Sequence, residues 1–263
     1  MTNHTKKTTS NKFIAYLKKS KKKASYFGFK YKCPFCQSHL KTFLPFGQKL
    51  PVLEEKQIIG GGYREQSKCP ICGYIDRARL LILFLRYKTD IFTKPQKLLH
   101  VAPETSLSKL FKAQPHLDYL TADFYNENVM VKMDITDIQY ADNTFGAIIC
   151  NHVLEHVIDD RQAMSELYRT LKPGGWAILQ VPFSPLLPET YEDFSIVSEA
   201  DRESVFGQKD HVRIYAMDYV NRLEAVGFQV DVFDWTKEPE NFGGKNNKFG
   251  LNPDEHVFFA RKK

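Results

Sequence analysis

DNTFGAIICNHVLEHV at residues 142–157 and LKPGGWAILQVP at residues 171–182 are the two stretches that decide the fold. Each contains a short run of β-forming residues, Ala147–Cys150 and Ala177–Val181, which is typical of a buried strand. Between these runs, apolar residues recur at helical spacing until Lys172–Gly175 ends the helix. A strand, a helix and a second strand in this order form the unit from which parallel sheets are built.

The same alternation extends over the rest of the chain beyond Pro95. Further runs with strand character are Leu98–Val101, Tyr119–Ala122, Val129–Met133, Phe228–Phe233 and Val257–Ala260. A helix is predicted over residues 217–226, and Gly227 ends it. We therefore predict an α/β domain over residues 95–263, with a Rossmann-like, mostly parallel seven-stranded sheet, helices on both faces, and ligands at the carboxyl ends of the strands.

The first 94 residues have a different character. Residues 1–25 are polar and rich in lysine, which predicts a flexible basic tail with at most one short helix. Residues 26–75 carry two cysteine pairs and clusters of turn residues, which suits a small module held together by a metal ion. Residues 76–94, in which the pattern over 76–92 is helical, are predicted to connect this module to the α/β domain.

Length and composition limit the class of protein. The chain has 263 residues, of which 43% are hydrophobic and 26% charged, so it can form a sizeable core. The longest apolar run, Leu80–Leu85, is far shorter than the roughly 20 residues of a membrane-spanning helix. No apolar stretch of signal-peptide length is found at the N-terminus, so we expect a soluble, cytoplasmic protein.

The net charge of +6 is unevenly distributed. Residues 1–53 contain twelve lysines and no acidic residue, so the rest of the chain is mildly acidic. The basic segment is interpreted first as a solvated tail. Binding to nucleic acid and weak contact with an anionic membrane surface are the alternatives.

Four of the five cysteines form two Cys-x-x-Cys pairs, Cys33 with Cys36 and Cys69 with Cys72. Two such pairs can place four thiolates around one Zn²⁺ ion, and a closed site of this kind is structural. Gly73 follows the second pair at a position where a tight turn favours a positive φ. A redox pair is disfavoured because neither motif opens a helix within a βαβ unit.

The segments 142–157 and 171–182 resemble the core of class I S-adenosylmethionine-dependent methyltransferases, specifically the group called methyltransferase type 11. The resemblance covers about residues 95–263, and the cysteine pairs add an N-terminal zinc ribbon. It implies that S-adenosylmethionine is the cofactor. It also implies that one acid binds the ribose hydroxyls, that a second reaches the adenine amine, and that the chain after the fourth strand lines the methionine and the acceptor.

Transferred onto this chain, the resemblance implies a cofactor site at the ends of four strands. Its predicted members are His100, Ala102, Pro103, Glu104, Asp123, Phe124, Asp134, Ile135 and Asn151. Asp123 is assigned to the ribose, with Phe124 packing on the adenosine, and Asp134 is assigned to the adenine amine with Ile135 beside it. Asn151 and His152 take the position after the fourth strand.

The first turn departs from the family pattern. Where most members have a glycine-rich run, this chain has His100-Val101-Ala102-Pro103-Glu104. Glycines allow the backbone to approach a cofactor closely, so their loss leaves open a degenerate pocket. A functional pocket is favoured, because the carboxylate of Glu104 can bind the cofactor ammonium, and a subgroup of zinc-ribbon methyltransferases has a similar turn.

Several other residues have two interpretations. His152 to His156 match the His-x-x-Glu-His pattern of zinc proteases, but the preceding strand and the family resemblance favour His152 facing the pocket and Glu155-His156 packing within the fold. Cys150 is interpreted as a core residue. His211 and Arg213 follow a long connection and resemble a Gly-Gln-x-Asp-His-Val-Arg stretch of the same subgroup, which implies acceptor binding or proton removal. A surface Asp–His–Arg network is the alternative.

These observations favour a methyltransferase that acts on a small-molecule or glycan-type acceptor at oxygen or nitrogen. An RNA methyltransferase is the first alternative, but no Asn/Asp-Pro-Pro-aromatic motif follows the fourth strand, and the body of the chain is acidic. The second alternative is a zinc-ribbon binding module without catalysis.

Overall fold

The computed structural model describes residues 20–263. Residues 20–26 are helical. The remaining helices and strands, in chain order, are β1 (Tyr31–Lys32), β2 (His39–Leu40), β3 (Leu44–Phe46), α1 (Pro51–Glu55), β4 (Arg64–Lys68), α2 (Asp76–Lys88), β5 (Gln96–Val101), α3 (Thr105–Lys112), β6 (Leu117–Asp123), β7 (Val131–Lys132), β8 (Phe145–Asn151), α4 (Asp160–Thr170), β9 (Leu171–Gln180), β10 (Tyr191–Glu192), α5 (Glu199–Phe206), β11 (Arg213–Ile214), α6 (Tyr219–Ala225), β12 (Gln229–Phe233) and β13 (Val257–Arg261).

The chain divides into two compact units, each built from separate segments. Within the described residues, unit 1 contains 20–46, 64–83 and 238–252, and unit 2 contains 47–63, 84–237 and 253–263. The predicted boundaries at residues 25, 75 and 94 assumed contiguous domains. The two units are not contiguous in the sequence, and those boundaries stay a prediction. Most of the predicted basic tail, residues 1–19, lies outside the described part of the chain.

Unit 1 is built on two antiparallel strand pairs and a buried arginine. β1 pairs with β2, and β3 pairs with β4. The fully buried guanidinium of Arg79 donates to the carbonyls of Ser67, Phe249 and Gly250 at 2.6–2.8 Å. Because a buried carbonyl without a donor is costly, these bonds hold residues 238–252 against the segment that contains β4.

Unit 2 contains a seven-stranded sheet in the order β12-β13-β9-β8-β5-β6-β7. β5 pairs in parallel with β6 and β8, and the same direction continues to β7 on one side and β9 on the other. β13 is antiparallel to both of its neighbours. The sheet is therefore mostly parallel, and the carboxyl ends of β5 to β9 share one edge.

The helices of unit 2 follow local sequence signals. α4 begins where the Asp159 side chain accepts a hydrogen bond from Gln162 N, and its buried face includes Met164 and Leu167. α5 follows Ser198, whose side chain accepts a hydrogen bond from Asp201 N, and it is closed by Gly207 with φ +83°. These caps satisfy backbone groups that the first and last turns of a helix leave unpaired.

The predicted fold class is confirmed, with changes at the ends of elements. The helix predicted over 76–92 ends at Lys88, because the Thr89 hydroxyl donates to the Leu85 carbonyl and a turn follows at Asp90. β7 is shorter than the run Val129–Met133, whereas β9 begins directly after α4. Among residues 20–263, no helix has both the length and the apolar character needed to cross a membrane.

Candidate functional site

The four paired cysteines come together in unit 1. Cys33 Sγ lies 3.6 Å from Cys72 Sγ, and Cys36 Sγ lies 3.8 Å from Cys69 Sγ. A tetrahedral ion with Zn–S bonds of about 2.3 Å separates its sulfur ligands by about 3.8 Å. No disulfide is formed among the described cysteines, and the four sulfurs therefore fit a zinc ion.

Two tight turns present these sulfurs. Gln37 N donates to Cys33 O, and Gly73 N donates to Cys69 O, both at 2.9 Å. The residues that close the turns have positive φ, with Gln37 at +57° and Gly73 at +83°. The expectation for Gly73 is confirmed, and the first pair places a glutamine in the equivalent conformation.

In unit 2, Glu104 and Asn151 meet at the carboxyl ends of β5 and β8. Asn151 Nδ2 donates to Glu104 Oε1 at 3.0 Å, and His100 Nε2 lies 2.7 Å from Glu104 Oε2. Burial raises the pKa of Glu104, but the hydrogen bonds from His100 and Asn151 outweigh it and hold that pKa below its ordinary value. Glu104 is thus a carboxylate at neutral pH.

The Asn151 side chain has a polar atom that the protein does not use. Its Oδ1 is buried and has no hydrogen-bond partner among the described residues. A buried acceptor of this kind costs free energy unless a ligand or water donates to it. Together with the Glu104 carboxylate, it forms an acceptor pair suited to an ammonium group.

His100 lies beneath this pair. It is fully buried, and its Nδ1 lies 2.9 Å from the Tyr119 hydroxyl. Burial and the nearby Glu104 charge raise the pKa of Tyr119 to about 12, so the hydroxyl stays protonated and can donate to Nδ1. His100 then donates from Nε2 to Glu104, and its role is to orient that carboxylate.

Two residues of this edge adopt the left-handed conformation without being glycine. Ala102, after β5, has φ +45°, and His152, after β8, has φ +56°. Residues other than glycine rarely adopt such values, and they often do so at functional sites. Ala102 thus makes the turn that a glycine makes in the family pattern. The half-buried Pro103 follows it, and Glu104 directly precedes α3.

The other predicted cofactor residues follow β6 and β7. Asp123 Oδ1 accepts from Tyr125 N and Asn126 N, both at 2.7 Å, which orders the loop after β6. Phe124 is 54% exposed, so its ring is open to a ligand. Asp134 is exposed and bonds Thr136, whereas Ile135 lies in the core. The structure brings the side chains of Glu104 and Asn151 into contact and leaves those of Asp123 and Asp134 on neighbouring strand ends.

The segment after β8 forms a short 3₁₀ helix, Leu154–His156, instead of an α-helix. His152 Nδ1 lies 3.4 Å from Glu155 Oε1. The His156 and His211 rings contact each other edge to face, with centroids 4.7 Å apart. The protease-like pairing of His152 with His156 on one helical face is therefore not formed, because a helical i, i+4 relation needs a continuous α-helix.

Burial sets the charge state of the two contacting histidines. Burial and the neighbouring His156 lower the pKa of His211 to about 4, although Asp210 opposes the shift. Burial also lowers the pKa of His156. Both imidazoles are neutral at pH 7, so each has one ring nitrogen with a lone pair.

Arg213 is fully buried, and the N–H groups of its guanidinium bond to other groups of the same chain. It donates to the carbonyls of Leu154, Val157 and Ile158 and to the Glu192 carboxylate. This geometry favours a role in positioning the segment after β8 over direct contact with an acceptor. The sequence interpretation missed this role because backbone carbonyls leave no signal in the sequence.

Cys150 lies in β8 and is fully buried. Burial and the charges of Glu155 and Glu104 raise the pKa of its thiol. A protonated, inaccessible thiol is a poor nucleophile, which agrees with the interpretation of Cys150 as a core residue.

Comparison with known proteins gives a match in the same region. A family model described as a methyltransferase domain matches residues 105–179. The match begins directly after the atypical turn that ends at Glu104 and ends within β9. The predicted family resemblance is confirmed for this part of the chain.

Relatives among curated proteins match over shorter parts of their length. A demethylmenaquinone methyltransferase of Paenarthrobacter aurescens is 29% identical over 104 residues, 35% of this chain and 41% of that protein. An arsenite methyltransferase of Aquipseudomonas alcaligenes is 28% identical over 130 residues, 48% of this chain and 35% of that protein. The chain spans less than half the length of these relatives.

Among solved structures, one neighbour is the 1,6-didemethyltoxoflavin-N1-methyltransferase of Burkholderia thailandensis, with 1,6-didemethyltoxoflavin and S-adenosylhomocysteine bound. It aligns with a TM-score of 0.46 and 16% identity over 70% of this chain and 76% of that one.

Proposed function

We propose that this chain, which carries a class I S-adenosylmethionine-dependent methyltransferase domain, transfers a methyl group to an oxygen or nitrogen of a small-molecule or glycan-type acceptor. The observation that carries the proposal is the Glu104–Asn151 pair, with its ionised carboxylate and its buried, unused Oδ1. The methionine part of the cofactor presents an ammonium group, which requires acceptors of this kind.

The neighbouring strand ends supply the remaining cofactor contacts in this proposal. The Asp123 carboxylate binds the ribose hydroxyls, the Phe124 ring packs on the adenosine, and Asp134 accepts from the adenine amine. Ile135 supports this edge from the core. Ala102 and Pro103 form the turn that allows the backbone to approach the cofactor, and His100 orients Glu104.

When bound, S-adenosylmethionine supplies a methyl group activated by the sulfonium. The protein's own task is to align the acceptor in line with that group, to exclude water and, for a hydroxyl acceptor, to take up a proton. We assign the acceptor side to His152 and His211, since both imidazoles belong to the segments that meet after β8. Arg213 positions the first of these segments.

The acceptor class is supported by the curated relatives, whose names refer to a quinone precursor and to arsenite. Both are small molecules. The absence of an Asn/Asp-Pro-Pro-aromatic motif after β8 disfavours RNA or another nucleic acid as the acceptor.

We further propose that Cys33, Cys36, Cys69 and Cys72 hold a structural zinc ion. The sulfur separations and the two turns support this assignment, and a four-thiolate site leaves no open position for a substrate. Reduced thiols are typical of the interior of cells, so the proposed location is cytoplasmic. Weak membrane contact would require the basic residues at the N-terminus.

The test is calorimetric titration of S-adenosylmethionine and S-adenosylhomocysteine. Replacing Asp123 with Asn keeps an oxygen for the loop amides but removes the charge, so we expect Asp123→Asn to weaken binding about 10- to 100-fold, the loss of a charge-assisted hydrogen bond. Asp118→Asn is the matched control, because Asp118 lies on the same strand with a 72% exposed side chain. Absence of any wild-type affinity would favour the non-catalytic binding module.

A further inference from the structure

A second group of metal-ligating side chains lies in unit 2. Glu155, His156 and His211 each offer one ligand atom, and these three atoms lie within 4.8 Å of one another. The cluster joins two segments that are far apart in the sequence. It shares no residue with the four-cysteine group.

The His156 imidazole is oriented by a second partner, and the backbone of Phe206 lies beside the His211 imidazole. His156 Nδ1 lies 3.3 Å from the Asp210 carboxylate, which is itself held by Gln208 Nε2 at 2.9 Å. A histidine that donates from one ring nitrogen to a carbonyl or carboxylate has the other nitrogen ready to bind a metal ion, and metal-binding histidines commonly have this arrangement.

The backbone around the cluster is also fixed. Val212 N donates to Glu155 O at 3.0 Å, so the residue after His211 is bonded directly to the residue before His156. Arg213 donates to the carbonyl of Leu154, the first residue of the 3₁₀ helix, and to the carbonyls of Val157 and Ile158, which follow it. The ligand-bearing segments are therefore held together before an ion arrives, which reduces the ordering cost of binding.

Burial differs across the cluster. Glu155 is 1% exposed and His211 is 9% exposed, whereas the side chain of His156 is 27% exposed. A buried carboxylate favours a nearby cation. The more open side, at His156, gives an ion access and room for an exchangeable ligand.

We propose that Glu155, His156 and His211 bind a divalent transition-metal ion, with Zn²⁺ as the reference ion and Asp210 as the carboxylate that orients His156. Two imidazoles and one carboxylate form a donor set that zinc and its neighbours accept, and three protein ligands leave at least one coordination position open. This site therefore differs from the closed four-thiolate site in both donor type and access.

The role of the ion, which rests on the proposed function, is to bind an oxygen or nitrogen atom of the acceptor and hold it at the strand-end pocket. A ring nitrogen of His211 then binds the metal ion and cannot take up a proton, so His152 is the residue that takes up the acceptor proton. Metal binding itself does not depend on methyl transfer.

The test is the metal content of the full chain, measured by mass spectrometry after equilibration with Zn²⁺ and removal of excess ion. We expect two zinc ions per wild-type chain and one in the double variant His156→Ala/His211→Ala. His116→Gln is the matched control, because His116 contacts Ile91 O on another part of the chain, and it should retain both ions. One zinc ion per wild-type chain, all of it lost in Cys69→Ser, would overturn the proposal.

A measurement on the wild type alone covers the case in which the double variant does not fold. Co²⁺ bound by thiolates gives strong charge-transfer absorption, whereas Co²⁺ bound by nitrogen and oxygen gives only weaker visible bands. We expect Co²⁺ titration to fill both kinds of site, and a titration showing thiolate-bound Co²⁺ only would contradict the second site. Calorimetry of S-adenosylmethionine on the same samples distinguishes failure of this site from failure of the proposed function.

Discussion

Glu104 is the residue on which the cofactor site depends most directly. It stands at the end of the atypical first turn, and the structure places it between His100 and Asn151. Its pKa is held below the ordinary carboxylate value of 4.5 by these hydrogen bonds, against the opposing effect of burial. Glu104 is therefore a charged carboxylate over the physiological pH range and can form an ion pair with an ammonium group.

This gives a pH prediction for wild type and Glu104→Gln. Because a lowered pKa means that Glu104 takes up a proton only as the pH falls through that lowered value, its contribution to S-adenosylmethionine affinity should be nearly constant between about pH 7 and about pH 5, where the ligand's amino group is also charged, and decline at lower pH. Glu104→Gln should bind about 10- to 100-fold more weakly throughout the upper range. Titration calorimetry at several pH values measures both.

The same variant supplies its own control. Glutamine retains one acceptor oxygen and nearly the same volume, so the fold should be preserved. Equal affinities of Glu104→Gln and wild type at pH 7 would mean that the carboxylate does not bind the ammonium, and Asn151 Oδ1 would then be the remaining acceptor.

The sequence predicted some site residues better than others. The turn residue Gly73 and the four cysteines could be predicted, because a short motif fixes both spacing and conformation. The pairing of His156 with His211 could not, since the motif around His152 suggests an α-helix, whereas the backbone forms a 3₁₀ helix after a left-handed residue. Only the tertiary fold brings His211 to that segment.

At the scale of elements, the strands and helices of the α/β domain were predictable from periodicity, but the contacts that fix loops were not. The clearest example is the segment after β8, which Arg213 holds through three backbone carbonyls. Any sequence offers carbonyls, so nothing in the residues from 154 to 158 indicates that a buried guanidinium will bind them. The acceptor role predicted for Arg213 came instead from the resemblance of its surrounding stretch to a methyltransferase subgroup, and that resemblance says nothing about these carbonyls.

We predict that Arg213→Lys destabilises the protein by about 3 kcal/mol, because a single ammonium cannot replace a planar group that bonds several carbonyls and Glu192 at once. Denaturant unfolding measures the effect. Arg161→Lys is the matched control, since Arg161 is exposed on α4, and its effect should stay within about 0.5 kcal/mol.

If Arg213 is a positioning residue, its replacement should affect metal binding and cofactor binding differently. Arg213→Lys should alter zinc occupancy at Glu155, His156 and His211 while leaving S-adenosylmethionine affinity close to that of wild type, because the guanidinium contacts the segment after β8 and not Glu104 or Asp123. A variant as stable as wild type would contradict this role.

For the molecule as a whole, the order of segments along the chain differs from their grouping in space. Residues 238–252 belong to unit 1 although most of unit 2 precedes them in the sequence. Arg79 explains this grouping through its bonds to the carbonyls of Phe249 and Gly250. Contiguous domain boundaries are the natural prediction from composition, since long-range bonds to backbone atoms leave no local pattern.

The stability of unit 1 should depend on its metal ion. One cluster of buried residues in unit 1 consists of Cys33, Leu40, Phe43 and Cys69, and two of these are proposed ligands. Binding of structural zinc contributes on the order of 10 kcal/mol in small domains, which is comparable to the whole stability of a typical domain.

We therefore predict that Cys69→Ser loses one zinc ion per chain and unfolds this unit. Hydrogen exchange of the amides in β1 to β4, together with metal analysis, measures both effects. Cys150→Ala removes a thiol from the core of unit 2 and should leave the zinc content unchanged. Full zinc content and wild-type amide protection in Cys69→Ser would show that the four sulfurs meet for reasons of packing alone.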